Sequence, residues 1–129
     1  MKAPFPSWVV PLISFAAGAM DFSTGVLLIA APQLTFRLMG LTAVSDLPLA
    51  RFIGAFVAAV GALYLWALYR GKLRLAWEFT ALVRSFIGCF AGLSVVLGSL
   101  EHGWVTVAIT DLGLAGLQIY FLWKDWVYE

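Results

Sequence analysis

Four ionisable residues sit where the chain is otherwise apolar. Asp21 and Asp111 each interrupt a long run of hydrophobic residues, and Arg51 and Arg84 lie inside two further runs. Near the centre of a bilayer such a group costs ~2.5–3.5 kcal/mol on insertion scales, against ~0.3–0.6 regained per Leu, Ile, Phe or Val. One aspartate therefore offsets several leucines. It must be paired, protonated or in contact with water. Paired, the four residues are buried ion pairs that fix helix register. Facing a polar cavity, the carboxylates could instead bind a cation, a proton or a ligand headgroup. Residue types alone leave both readings open.

Helical rise suggests the pairing. Asp21 lies about 15 Å, and Asp111 about 10 Å, from the same end of their runs. Arg51 opens its own run at that end, where its cation meets the unfavourable positive pole of the helix dipole. A side-chain reach of ~6 Å along the membrane normal brings it toward either aspartate. Arg51 is thus the expected partner of Asp21 or Asp111. Arg84, entering from the opposite side about 8 Å deep, either reaches inward or snorkels back to headgroups. Ser14, Ser23, Thr24, Thr110 and Gln118 are the polar residues available between helices.

Other chemistry finds little support. His102 is the only histidine, beside Glu101 in a short turn, and no second His, Cys pair or carboxylate cluster gives metal or haem spacing. Cys89, the single cysteine, is an inert thiol within an apolar run. No nucleophile triad, P-loop or dinucleotide fingerprint is present. The expectation is a non-enzymatic protein with no cofactor and no metal.

The elements that must position these charges follow from composition. Of 129 residues, 63% are hydrophobic and only 12% charged, where soluble chains run about 45–50% and about 25%. Mean hydropathy is +0.96. A net charge of +1 provides no basic surface for nucleic acid. Spanning a ~30 Å hydrocarbon core takes about 20 apolar residues, and stretches 8–31, 49–69, 79–100 and 104–123 meet that length. Backbone amides in lipid must be satisfied within the segment, so each is a helix. The prediction is an all-α, single-domain bundle of four transmembrane helices over residues 1–129. The first stretch could be mistaken for a signal peptide, with Lys2 as its basic region and Ala17-Gly18-Ala19 as a cleavage site, but its apolar run continues to Ala31.

Cations in the connections orient the bundle. Arg70, Lys72 and Arg74 crowd the second connection, and four spans put Lys2 and Lys124 on the same side. The Lys/Arg excess predicts cytoplasmic termini. Trp8, Trp66, Tyr69, Trp77, Tyr120, Trp123 and Trp126 would form an aromatic belt at that face, leaving Trp104 at the other. In the long first connection Leu34, Leu38 and Leu41 recur at helical spacing, with Arg37 off that face and Gly40 available as a C-terminal stop, which predicts a short interfacial helix. Asp46 and Pro48 supply the cap and first turn of the second span.

Small residues Gly54, Ala58 and Ala62 in the second span, and Gly88 and Gly92 in the third, form stripes that let helix backbones approach, within the bundle or between copies. Phe52-Ile53-Gly54-Ala55-Phe56 recurs as Phe86-Ile87-Gly88-Cys89-Phe90, each closely preceded by an arginine.

Ala50-Arg51-x-x-Gly54 leading to Gly61, Val83-Arg84-x-x-x-Gly88, and an acidic residue in the last span at Asp111 resemble the small bacterial four-helix membrane proteins of the DoxX-like group and its uncharacterised relatives. The resemblance covers most of the chain and implies a four-span bundle in a bacterial inner membrane, with no firm activity. Lacking paired cysteines, this chain departs from the redox-linked members.

Three functions fit these residues. The first is a small subunit or accessory bundle that self-associates or joins a larger membrane complex. An oligomeric transporter or channel, with Asp21 and Asp111 binding a cation or proton, is the second. The third is a binder of lipid-like ligands in an aromatic cavity among Phe15, Phe22, Phe52, Phe56 and Phe86.

Overall fold

A computed structural model describes residues 2–128 and is all-helical among them. Four helices are long and apolar enough to cross a membrane: α1 (Val9–Ala30), α3 (Leu47–Arg70), α4 (Leu73–Val96) and α5 (Val105–Trp123), the last extended at its start by the 3-10 turn His102–Trp104. Spans of 22 to 24 residues measure about 33–36 Å, enough for the hydrocarbon core. The short α2 (Pro32–Leu38) fills the first connection.

Local chemistry sets the boundaries. Pro32, which has no N–H to donate, ends α1 and begins α2 at its first position. The Asp46 carboxylate accepts from the Leu49 amide at 3.0 Å and caps α3, with Pro48 in the first turn, as expected. Gly71, at φ 67°, closes α3 in the left-handed conformation and lets the Lys72 amide donate back to the Ala67 carbonyl at 2.8 Å. The chain then re-enters a helix at once.

That immediate re-entry corrects the expected third span. It begins at Leu73, six residues before the predicted start, and ends at Val96. Arg74 and Glu78, whose charges argue against a membrane segment, pair across one helical turn at 3.2 Å and belong to α4. Six residues correspond to about 9 Å of helix, so every depth assigned to α4 shifts by that amount.

The bundle is two helix pairs. Within the first, α1 and α3 meet at glycines seven residues apart on each helix, Gly18 and Gly25 against Gly54 and Gly61. A Cβ on Gly25 would lie 2.3 Å from the Ala58 amide nitrogen, and one on Gly61 would lie 2.3 Å from that of Phe22. The backbones therefore touch. A seven-residue repeat keeps the contact on one face, as in left-handed crossings. Gly54 and Ala58 belong to this face, whereas Ala62 is exposed. In the second pair Gly88 of α4 lies under Leu112 of α5, and Gly92 packs only loosely near Ala108. The recurring Phe-Ile-Gly segments thus share a role, since each glycine seats its helix on the partner within its own pair.

The exterior is apolar and the interior partly polar. Phe15, Phe22, Phe52, Phe56 and Phe86 are all exposed on the outside of the bundle, so they line no common cavity. Ser14, Asp21, Thr80, Arg84 and Gln118 are buried. Where lipid supplies no hydrophobic drive, polar side chains hold helices together.

At the end bearing the first and third connections, Glu101 accepts from the amide and hydroxyl of Thr42 at 3.0 and 3.1 Å. At the opposite end the Arg74 guanidinium pairs with Asp125 just beyond α5, and Phe5, Phe121 and Trp126 pack ring to ring.

Candidate functional site: a charged centre between the helix pairs

Asp21, Arg84 and Asp111 come from three different helices and meet at one level. Counting 1.5 Å per residue from the terminal end of each helix, they lie at about 18, 16 and 18 Å. This is mid-membrane. The Arg84 guanidinium donates from Nη2 to Asp21 Oδ2 at 2.5 Å and from Nη1 to Asp111 Oδ1 at 2.6 Å. Its Nε faces the hydroxyl of Tyr64 on α3 at 3.4 Å. One side chain thus ties all four long helices. The planar fork of arginine suits two carboxylates at once, which a lysine ammonium could not reproduce with the same geometry.

Arg51 is not part of this centre. It is exposed in the first turn of α3 and makes no ion pair among the described residues. The expected pairing of Arg51 with Asp21 or Asp111 is therefore overturned. The cause is the register of α4, whose early start carries Arg84 some 9 Å deeper than expected, level with both carboxylates.

A neutral network extends from the charges toward the terminal end. Gln118 of α5 donates from Nε2 to Tyr64 Oη at 2.7 Å and to Thr80 Oγ1 at 2.9 Å. Thr80 in turn donates to the Ala76 carbonyl at 2.7 Å. One turn nearer the end, the Trp77 indole donates to Ser14 Oγ at 2.7 Å, and Ser14 donates to the Val10 carbonyl at 2.8 Å. Polar groups therefore form a column from the terminal end to the middle of the bundle. Within it Gln118 Oε1 is buried with no hydrogen-bond partner among the described residues.

Several members carry little signal in the sequence. Ser14 and Gln118 are among the polar residues expected between helices, but Ser23 and Thr110 are exposed. Tyr64 and Thr80 escape notice because a single neutral polar residue in an apolar run has no spacing to mark it. Trp77 belongs to the predicted aromatic belt yet is fully buried, while Trp8, Trp66, Tyr69, Tyr120 and Trp123 are exposed as a belt requires. Tyr64 and Trp77 have a large apolar body and a polar tip, which suits the seam between helix pairs.

Electrostatically the centre is unbalanced. Two carboxylates face one guanidinium, and with all three ionised the group carries one negative charge in a region where charge is expensive. The side chains of Asp21 and Asp111 are 12% and 15% exposed, against 5% for Arg84. The excess charge thus sits on the two groups with access to the outside of the cluster. A proton or a monovalent cation would neutralise it.

Comparison with protein-family models, with curated proteins and with solved structures finds no match.

Proposed function

We propose that this protein is a small, non-enzymatic subunit or accessory bundle of a bacterial inner membrane, with both termini cytoplasmic, in which Asp21, Arg84 and Asp111 form the latch between two helix pairs. The observation that carries this reading is the closure of the centre on itself. Arg84 directs its donors to two carboxylates and a tyrosine. A substrate site would present such groups to the substrate. Glycine contacts hold each pair internally, and the latch specifies how the pairs dock. A small bundle with short connections and an apolar exterior then offers its surface to lipid, to further copies or to a larger membrane complex. Membership of the DoxX-like group is part of the proposal and rests on the arginine, glycine and aspartate positions quoted above.

The charge imbalance favours one second reading, an oligomeric carrier of protons or monovalent cations that uses Asp21 and Asp111. The polar column from the terminal end to the centre supports it as well.

A double-mutant cycle separates the two, with stability and flux scored independently. For a latch, Arg84→Met and Asp21→Asn each destabilise, and neutralising all three charges together recovers much of the loss. For a carrier, Asp21→Asn, which leaves Arg84 its pair with Asp111, folds well but loses proton- or cation-driven flux in proteoliposomes. Flux in the parent protein that this variant abolishes discards the scaffold reading, and strictly additive stability losses discard the latch.

A further inference from the structure

The terminal end of the bundle carries a cleft of about 510 Å³, within the size range of small-molecule sites. Lys2, Phe5, Val10, Leu73, Trp126 and Tyr128 line it. Its walls come from the chain leading into α1, the start of α4 and the tail after α5. They are held by the ring contacts of Phe5 with Phe121 and Trp126 and by the Arg74–Asp125 pair. This site lies well away from the charged centre.

Two features point to the occupant. The first is charge. The sequence at this end carries Lys2, Arg70, Lys72, Arg74 and Lys124 against Glu78, Asp125 and Glu129, and Lys2 belongs to the cleft itself. The second is a buried donor. The indole N–H of Trp126 has no acceptor among the described residues, although buried indoles ordinarily find one. A cation on an apolar cleft, walled in part by the residue whose indole N–H is unused, matches a phosphate group joined to an acyl chain. The cleft is also at the correct height, because helices of 22 to 24 residues put their ends at the headgroup region. Basic clefts between transmembrane helices take anionic headgroups in this way.

We propose that this cleft binds one anionic phospholipid, with its phosphate at Lys2 and the Trp126 indole and an acyl chain along Phe5, Val10 and Leu73. The bound lipid cements the amino-terminal segment to the carboxy-terminal tail. Zwitterionic lipid carries no net charge to answer Lys2 and binds less well.

The test is native mass spectrometry of the whole protein in detergent, titrated with phosphatidylglycerol or phosphatidylcholine of the same chains. One phosphatidylglycerol should be retained with about tenfold preference. Lys2→Gln should erase most of that preference. Trp126→Phe should weaken retention of both lipids. Ala3→Trp, which fills the cleft from the segment before α1 without altering a helix, should block retention while thermal unfolding stays cooperative. Lys124→Gln removes a cation at the same end, whose ammonium stacks on Trp123, and should leave the preference unchanged. Equal retention of the two lipids overturns the proposal. So does a Lys124→Gln loss as large as that of Lys2→Gln, which would indicate diffuse surface charge.

Discussion

Arg84 and Asp21 lie 63 positions apart in the chain and 2.5 Å apart in the bundle. Their pairing crosses the seam between the helix pairs, since α1 belongs to one and α4 to the other. Arg84 to Met leaves two carboxylates without their cation, and breaking a buried pair from one side typically costs ~3–5 kcal/mol. Arg51→Met should change stability by no more than about 0.5 kcal/mol, as is usual at exposed positions away from special features. Thermal unfolding of both variants in detergent checks the contrast, and equal losses would contradict the assignment of Arg84.

The glycine contacts of the first pair yield a second contrast. Gly25→Ala drives a methyl group into the Ala58 backbone and Gly61→Ala drives one into that of Phe22. Backbone cannot step aside as a flexible side chain can, so each should cost ~1–3 kcal/mol. Gly113 and Gly116 of α5 have open space where a Cβ would stand. Alanine there should be neutral or gain up to about 1 kcal/mol from helix propensity. Stability of the four variants measured by the same unfolding assay decides it. A loss at Gly113 or Gly116 in the assembled protein but not in the monomer would mark a contact between copies.

Much of this architecture is readable from residues. Lipid demands about 20 apolar residues per crossing and satisfied amides within each segment, so four helices follow almost directly. Asp46 at the start of α3 and Gly40 after α2 signal helix ends through local chemistry. The third span is where reading by apolarity fails. Arg74 and Glu78 neutralise one another on the helix surface, and Trp77 between them turns inward to Ser14. An apolarity window discards that turn, and with it the depth of Arg84. Asp21 and Asp111 are conspicuous because their cost is large, whereas Tyr64 and Thr80 are inexpensive and unmarked. Gly18 and Gly25 pass unnoticed for another reason. A seven-residue spacing is visible only when two helices are known to face each other.

Acid should release the tail at the terminal end. The Arg74 guanidinium, hydrogen-bonded to Asp125 and electrostatically favourable to its anion, holds that carboxyl below the usual aspartate range. The unfolded value is about 3.9, so the contribution of the pair is complete above it. It is lost as pH falls through the lower folded value. Between about pH 5 and pH 8 the pair is insensitive to pH. Below about pH 4 the tail should loosen, which the Trp126 indole N–H resonance in micelles can follow. Asp125→Asn should abolish that transition while keeping the left-handed backbone at this position, φ 58°, which asparagine also tolerates. The same acid transition in both proteins would show that another group is responsible.

Orientation can be tested without disturbing the charges that determine it. Ser7 and Ser99 are both exposed and lie at opposite ends of the bundle, before α1 and after α4 respectively. Serine to cysteine is nearly isosteric and leaves the Lys/Arg distribution intact, so the substitution does not bias the topology that it reports. Cys89 is replaced by alanine to remove the native thiol, which faces outward from α4. With cytoplasmic termini, an impermeant maleimide added to intact cells should label Ser99→Cys and leave Ser7→Cys unmodified until the membrane is opened. The second connection then lies in the cytoplasm with Arg70, Lys72 and Arg74, as the excess of cations requires. Labelling of Ser7→Cys in intact cells would invert the bundle. The polar column through Gln118 and Tyr64 would then rise to Arg84 from the outer face instead of from the cytoplasm, and a carrier built on Asp21 and Asp111 would load from the opposite side.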